Sequence, residues 1–175
     1  MDKAWTLTIL AMGTCSLFEE SIMEQRYVLR STQDNRYCIG VVDDTNGGKV
    51  VLAKYERGGT TRTRWTLDPF TGLIRLASSE QLVLDATPQT QGTQLTVTNY
   101  QFGKKSQTWD WVKKPQTIIN SGNGMVVDNQ GAVVELGNPI ILYADHNGNN
   151  QHWEFQVVEV ALFKTVAEEE AAGAK

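Results

Sequence analysis

The chain has 175 residues, of which 41% are hydrophobic and 21% are charged, a composition typical of one soluble globular domain with short extensions. The formal net charge is −4 and no block of Lys or Arg occurs, so the basic footprint of a nucleic-acid-binding protein is absent. No apolar run reaches the ~20 residues that a membrane-spanning helix needs. The two cysteines, Cys15 and Cys38, cannot form a disulfide framework, and the sequence leaves open whether they pair with each other.

The N-terminal arm, residues 1–25, has the outline of a signal peptide. A short apolar stretch over residues 4–12 follows Lys3, but Asp2 weakens the positive region and no A-x-A cleavage site follows. An arm that is retained must bury its apolar side chains. It would do so either on its own domain or in a neighbouring subunit, and the sequence keeps both alternatives open.

Three tryptophans, Trp65, Trp109 and Trp153, stand at a constant spacing of 44 residues. The second and third share a Q-x-W lead-in through Gln107 and Gln151. A fixed period of this length indicates three copies of one supersecondary unit. We therefore predict a first repeat over about 26–70, a second to about 115 and a third to about 160.

Each repeat contains four short runs rich in β-forming residues, separated by Gly- and Asn-containing turn signals such as residues 46–48 and 147–149. Twelve short strands without a credible helix between them predict an all-β fold, and three four-stranded units around one axis predict a β-trefoil. The tryptophans are expected to fill the shared core. The alternative, in which they stack on a ligand, is the weaker interpretation.

Beyond residue 160 the pattern changes. Residues 161–167 carry apolar residues at helical spacing, followed by three glutamates and a tail of small residues. The segment 161–175 is predicted as a C-terminal tail with one short amphipathic helix, which is too short to be stable by itself.

The Q-x-W motifs, the period and the four-run units resemble the ricin B-chain family of carbohydrate-binding trefoils, the R-type lectins, over about residues 26–160. In that family each sugar site combines an Asp after the second run, an aromatic residue on the third run and an Asn before the Q-x-W glutamine. An ionised carboxylate accepts strong hydrogen bonds from adjacent hydroxyls of a galactose-type sugar. The aromatic ring stacks on the sugar's apolar face, and the convergence of these groups fixes its orientation.

The resemblance implies that the third repeat carries a full site, with Asp128 as acceptor, Tyr143 as platform, and Ile141, Asn150 and Gln151 beside them. Each of these residues taken alone also suits a turn or a loop, as Asp and Asn often do. Their joint occurrence at the family's spacing is what favours a sugar site here.

The second repeat is partial. It retains Asp85 and Gln107, but Thr98 stands at the aromatic position and Ser106 at the Asn position. Tyr100, two residues after Thr98, is a candidate substitute platform because it lies on the same side of a strand. The resemblance thus implies a weaker second site at most.

The first repeat has lost the pattern, since Gly40 replaces the Asp, Ala53 the aromatic residue, and Arg62 and Thr63 the Asn-Gln pair. It is predicted to be structural.

No catalytic constellation is present, and we predict no enzyme activity and no cofactor. His146 and His152 lie six residues apart, too few for a zinc site of three or four ligands. Both are expected to be structural, with a minor contact to bound sugar open to His146.

Three functions remain. The first is a lectin that binds galactose or N-acetylgalactosamine mainly through the third repeat. Such a lectin is expected to be a homo-oligomer because one weak site needs several copies for avidity, and to be secreted or displayed at the cell surface. The second is a structural assembly protein that uses the trefoil as a building block and its two extensions for subunit contacts. The third, a protease inhibitor or protein ligand acting through its loops, has no positive feature in the sequence.

Overall fold

The computed structural model describes residues 23–79 and 81–162, and residues 23–161 form one compact unit. The predicted all-β class is confirmed, because the regular structure consists of strands with three short 3₁₀ turns. The strands are β1 Met23–Ser31, β2 Tyr37–Val41, β3 Gly48–Lys54, β4 Trp65–Asp68, β5 Leu73–Leu76, β6 Leu82–Asp85, β7 Thr96–Asn99, β8 Trp109–Asp110, β9 Ile119–Asn120, β10 Val126–Asn129, β11 Ile140–Tyr143 and β12 Trp153–Leu162. Among these residues no helix is long and apolar enough to cross a membrane.

Six strands form the barrel wall. β4 pairs with both β1 and β5, β8 pairs with β9, and β12 lies beside β1. The seams between these groups are joined by backbone hydrogen bonds, from Trp109 N to Gly72 O at 2.8 Å and from Trp153 N to Gln116 O at 2.7 Å. Bonding around the ring leaves few free strand edges in the wall.

The other six strands form three hairpins, β2–β3, β6–β7 and β10–β11, which cap the barrel. β3 pairs with β7, and isolated bridges join Gln94 to Ile141 and Val51 to Pro139, so each hairpin contacts the other two. Each repeat therefore contributes two wall strands and one cap hairpin.

The three tryptophans are core residues. Trp65 and Trp153 are fully buried and Trp109 is 2% exposed. Each indole Nε1 donates to a backbone carbonyl of the second strand of its own repeat, namely Ile39 O at 3.1 Å, Leu84 O at 3.0 Å and Val127 O at 3.2 Å. A buried indole needs such a partner, and here the bond ties the core to the cap hairpin.

The boundaries of the domain differ slightly from the prediction. β1 begins at Met23, before residue 26, and β12 continues to Leu162, so residues 161 and 162 are extended and not helical as the tail pattern suggested. Pairing of β12 with β1 supplies backbone partners that outweigh a short helical periodicity. The rest of the predicted tail, most of the N-terminal arm and Cys15 lie outside the described residues. Cys38 is a buried free thiol whose Sγ lies 3.8 Å from Lys54 O.

Candidate functional site

Strand register aligns one position in the three cap hairpins, which we call the acceptor position. Gly40 pairs with Val51, Asp85 with Thr96 and Asp128 with Ile141. Each acceptor position directly follows the residue whose carbonyl is bound by the buried indole. The core tryptophans thus hold three equivalent positions at the same height in the cap, and the side chains placed there differ.

In the third repeat, amides surround the acceptor carboxylate. Asp128 is only 2% exposed. Its Oδ1 accepts from Asn150 Nδ2 at 3.0 Å, and its Oδ2 accepts from Gln151 Nε2 at 2.7 Å. His146 Nε2 lies 3.3 Å from the same Oδ2. A carboxylate oxygen can accept more than one hydrogen bond. Asp128 can therefore accept further bonds on the side that faces the pocket described next.

Asp128 opens into a pocket of about 340 Å³. Two rings stand at its edge, since Tyr143 and His146 meet edge to face with centroids 6.1 Å apart and an angle of 78°. The lining residues are Gly92, Asp128, Gln130, Gly131, Ala132, Ile141, Tyr143, His146 and Asn150. The structure therefore brings four of the five predicted residues of the third repeat, Asp128, Ile141, Tyr143 and Asn150, around one cavity.

Gln151, the fifth predicted residue, is fully buried behind the carboxylate. Its Nε2 also donates to Ala144 O at 2.9 Å, and its Oε1 accepts from His146 N at 3.0 Å. Gln151 thus fixes both Asp128 and the loop that carries His146. This is the turn-pinning role that a buried amide at a Q-x-W glutamine suggests, and it acts on the pocket from behind.

Burial raises the pKa of the Asp128 carboxyl above its ordinary value, and the hydrogen bonds from Gln151 and Asn150 and the nearby His146 oppose this effect without cancelling it. Within residues 23–79 and 81–162, no lysine or arginine forms an ion pair with Asp128. The carboxylate is therefore held mainly by neutral donors. A ligand that fills the pocket and displaces water has to donate hydrogen bonds to it.

The second repeat has the opposite arrangement. Asp85 is fully buried, and its Oδ2 accepts from Lys104 Nζ at 2.7 Å, from Thr98 Oγ1 at 2.6 Å and from Gln107 Nε2 at 3.1 Å. Its Oδ1 accepts from Thr87 Oγ1 at 2.7 Å, and that hydroxyl also contacts Ser106 Oγ at 3.0 Å. The chain itself supplies the donors that a ligand would supply.

Lys104 and Gly148 explain this difference between the repeats. Each is the extended residue directly before the 3₁₀ turn that carries the Q-x-W glutamine, Lys105–Gln107 in one case and Asn149–Gln151 in the other. A Cβ on Gly148 would lie 2.5 Å from His146 Cε1 and 2.6 Å from Asn150 Oδ1. A side chain at this position would displace His146 or Asn150, and with glycine there the third repeat has no counterpart of the capping lysine.

The other predicted residues of the second repeat follow this closed arrangement. Gln107 is fully buried and, besides Asp85, binds Asn99 O and Gln101 N, as Gln151 does for its own loop. Tyr100 is 40% exposed, and the Arg75 guanidinium lies 5.6 Å from its ring centroid. This cation–π contact gives the ring a partner other than a ligand of Asp85.

The closed carboxylate gives a pH prediction. Although burial opposes ionisation, hydrogen bonds from Lys104, Thr98, Thr87 and Ser106 lower the pKa of Asp85 to about 2. A carboxyl with a lowered folded-state pKa stabilises the fold above its unfolded pKa, and this contribution is lost as pH falls towards the folded value. We expect about 2 kcal/mol of the free energy of unfolding to disappear between pH 5 and pH 2 through this group.

Urea unfolding at pH 6, 4 and 2.5 measures this loss. Lys104→Met is expected to reduce the stability at pH 6 and to flatten its dependence on acid, whereas Lys49→Met, at an exposed position, serves as the matched control and should leave both unchanged. An acid dependence that is identical in Lys104→Met and the parent protein would contradict the assigned role of Lys104.

The first repeat offers no acceptor. A Cβ on Gly40 would lie 2.7 Å from Ala53 Cβ and 3.0 Å from Thr63 Cγ2, so a side chain here would force its neighbours apart. Thr63 is buried and bonds within its own turn, where its Oγ1 accepts from Thr60 N at 2.7 Å. The position where a pocket would lie is filled by the protein.

The sequence did not single out part of the pocket wall. Gly92 comes from the second repeat, and residues 130–132 form a 3₁₀ turn after β10. The only signal for them was turn chemistry around Gly92 and Gly131, which does not tell which cavity a turn lines. Among the described residues, no group of three or more His, Cys, Asp or Glu side chains is placed to hold a metal ion.

Comparison with known proteins supports the fold. The family model of the ricin-type β-trefoil lectin domain matches residues 25–153. A designed threefold-symmetric protein, ThreeFoil, is similar with a TM-score of 0.65 and 20% identity over 75% of this chain and 97% of that one. These similarities confirm the β-trefoil fold.

Two natural lectin structures are similar to the same degree. The C-half of the earthworm R-type lectin in complex with GalNAc has a TM-score of 0.65 and 18% identity over 76% of this chain and 98% of that one. The β-trefoil lectin of the Vibrio vulnificus hemolysin/cytolysin, with N-acetyl-D-lactosamine bound, has a TM-score of 0.63 and 20% identity over 79% and 98%. No curated protein matches this sequence significantly.

Proposed function

Because this chain belongs to the family of ricin-type β-trefoil lectin domains, we propose that it is a lectin that binds galactose-type glycans through the pocket of the third repeat. The observation that carries the proposal is the open pocket in which Asp128, Asn150 and Tyr143 converge. The equivalent position in the second repeat is capped by Lys104, and in the first it is occupied by Gly40. One site per chain is therefore proposed.

The chemistry of this pocket suits a sugar with adjacent hydroxyls on one face. Ionised Asp128 accepts hydrogen bonds from two such hydroxyls, and charge-assisted bonds of this kind are strong. The Asn150 amide nitrogen donates its two hydrogens to Asp128 Oδ1 and Asn129 O, so its oxygen is the group that can accept a hydrogen bond from the same ligand. Tyr143 offers a flat apolar surface for the opposite face of the ring, which fixes the orientation of the sugar.

The preference for galactose or N-acetylgalactosamine draws support from the two lectin structures that are similar to this chain, whose ligands are GalNAc and N-acetyl-D-lactosamine. Those ligands belong to those proteins. Their shared galactose-type ring is compatible with the acceptor and platform arranged around Asp128.

A single shallow site binds a monosaccharide weakly, so useful avidity requires several copies on one particle. As part of the same proposal, the protein acts as a homo-oligomer that meets glycans outside the cell or at its surface. Sedimentation of the full chain tests the oligomer, since a monomer at micromolar concentration would contradict it.

Retention on immobilised sugars tests the function. The full chain is expected to bind galactose and N-acetylgalactosamine beads, to elute with free galactose, and to pass through mannose beads. Failure to bind any member of a broad glycan panel would rule out the lectin function. Retention by a different sugar class alone would refute the galactose assignment.

A matched pair of tyrosine variants tests the platform. Tyr143→Ala removes the ring that faces the pocket, and we expect the dissociation constant for methyl galactoside to rise about tenfold, which corresponds to ~1.4 kcal/mol. Tyr100→Ala removes the ring that contacts Arg75, and it should change the dissociation constant by less than about twofold. NMR titration measures both, and the reverse pattern would move the site to the second repeat.

A further inference from the structure

One wall of the third-repeat pocket has an unusual backbone. Residues 130–132 line the cavity, and both Gly131 and Ala132 lie in the left-handed region, with φ of +63° and +56°. Alanine rarely adopts this conformation because its Cβ crowds the following carbonyl oxygen. A wall of this kind keeps its shape when contacts from elsewhere hold it.

Gln33 supplies such contacts from the first repeat. Its Nε2 donates to Ala132 O at 2.6 Å, and its Oε1 accepts from Asn129 Nδ2 at 3.2 Å. Asn129 is fully buried and follows Asp128 directly, and its Nδ2 also donates to Val133 O at 2.9 Å. One glutamine amide therefore bonds to the residue before the wall and to the left-handed alanine within it.

The neighbouring residue reaches the other side of the pocket. Thr32 Oγ1 lies 3.1 Å from His152 O and 3.3 Å from Asn149 O, on the segment that carries Asn150 and Gln151. The turn between β1 and β2 thus contacts both segments that flank Asp128, although it is almost 100 residues away in sequence from the nearer one.

The backbone part of this contact belongs to the fold in general. Thr32 N donates to His152 O, and the equivalent bonds run from Ala77 N to Arg64 O and from Ser121 N to Thr108 O. By that alignment Gln33 corresponds to Ser78 and Gly122, and neither has a side chain as long as that of glutamine. Among these three positions the glutamine contact occurs only toward the third repeat, whereas the loop after Asp85 is held by shorter side chains, through Asn123 Nδ2 to Gln89 O at 3.2 Å and Gln89 Nε2 to Asn120 Oδ1 at 2.6 Å.

We infer that Gln33 is a positioning residue for the third-repeat pocket, where it holds the wall formed by residues 130–132 in its binding conformation before the sugar arrives. This inference rests on the proposed lectin function. A wall held in advance does not have to be ordered on binding, and avoiding that entropy cost raises affinity.

The expected effect is on affinity more than on stability. In Gln33→Ala the wall loses both bonds, and we expect the dissociation constant for methyl galactoside to rise about three- to tenfold. Gln33→Glu keeps the acceptor for Asn129 Nδ2 but loses the donor to Ala132 O, so its affinity should fall at neutral pH as well. Ser78→Ala, at the corresponding position of the second repeat, is the matched control and should bind as the parent protein does.

Three measurements on the full chain decide the matter, namely NMR titration with methyl galactoside, urea unfolding, and hydrogen exchange of the Val133 amide, which donates to Gln130 O across the wall turn. Weaker binding together with faster Val133 exchange in both Gln33 variants, at nearly parental stability, supports the inference. Parental affinity in Gln33→Ala overturns it, including the case in which stability alone falls, because the role would then be purely structural.

The design separates this inference from the proposed function. If the parent protein binds no sugar, the lectin proposal fails by itself. The wall is then tested by exchange alone, where faster Val133 exchange in Gln33→Ala supports the positioning role and unchanged exchange overturns it.

Discussion

Asp128→Asn is expected to abolish measurable galactose binding, whereas Asp85→Asn should leave binding intact and lower the stability of the fold. The two residues occupy the same position in their hairpins, each next to the residue whose carbonyl is bound by a buried indole. Their surroundings differ, because Asp85 is bonded to Lys104 and Asp128 faces a pocket. The pair therefore separates a binding carboxylate from a structural one within a single chain.

The affinity change follows from charge-assisted hydrogen bonding. Two sugar hydroxyls that donate to an ionised carboxylate contribute about 1.5–3 kcal/mol each, so replacing the carboxylate by an amide should weaken binding by about 100-fold or more. From a weak starting affinity this loss places binding beyond detection. Titration with methyl galactoside measures it for both variants.

The stability change should have the reverse order. In Asp85→Asn the Lys104 ammonium loses its anion, and the new amide nitrogen faces the hydroxyls of Thr98 and Thr87. We expect the free energy of unfolding to fall by about 2–3 kcal/mol, below the full cost of breaking a buried ion pair, because the lysine side chain is 27% exposed and can reach solvent. In Asp128→Asn removal of a buried charge offsets much of the lost bonding, and the change should stay near 1 kcal/mol.

Urea denaturation at pH 7 gives both free energies. Equal loss of binding in the two variants would mean that the second repeat also binds sugar. Unchanged binding in Asp128→Asn would remove the third-repeat pocket from the mechanism even if the chain is a lectin.

The resemblance to the R-type lectins implied most of the pocket's polar and aromatic residues, and they converge because most of them lie on a short, regular hairpin. Strand alternation puts Ile141 and Tyr143 on one face, and antiparallel pairing puts Asp128 opposite Ile141. The Q-x-W position then brings Asn150 to the same carboxylate. Strand register explains why these residues converge, but the family's spacing was needed to single them out.

Whether the acceptor position of each repeat is open or closed was harder to predict. Lys104 is one ordinary lysine in a loop, and only its three-dimensional position beside Asp85 shows that it closes the second repeat. Gly148 resembles other loop glycines until the crowding by His146 is visible. The role of Gln33 depends on closure of the barrel, which brings the first and third repeats together. Contacts of this range leave no periodic pattern in the sequence.

The extension of β12 has a similar origin. Residues 161 and 162 carry an apolar spacing that suits a helix, but they belong to β12, which lies beside β1. Propensity over a few residues is a weak preference, and an available strand partner outweighs it.

Trp65→Ala is expected to lower the free energy of unfolding by about 3–5 kcal/mol without changing the sugar affinity of the molecules that remain folded. Trp65 is fully buried, and the substitution leaves a large cavity and removes the indole partner of Ile39 O. A loss of this size is a large share of the 5–15 kcal/mol that ordinarily stabilises a domain. Because Trp65 does not line the third-repeat pocket, that pocket should be unchanged while the fold persists.

Trp65→Phe, which leaves a smaller cavity, keeps the experiment informative if the alanine variant does not fold, and we expect it to cost about half as much. Phe70→Ala is the matched control, since Phe70 is an aromatic residue of the same repeat that is 93% exposed, and its loss should cost less than about 0.5 kcal/mol.

Urea denaturation followed by circular dichroism gives the stabilities, and titration with methyl galactoside under native conditions gives the affinities. If Trp65→Phe kept parental stability but lost sugar affinity, the tryptophan would be a ligand platform. The 44-residue period would then mark binding positions. A loss of stability at constant affinity instead assigns Trp65 to the core that holds the acceptor positions in place.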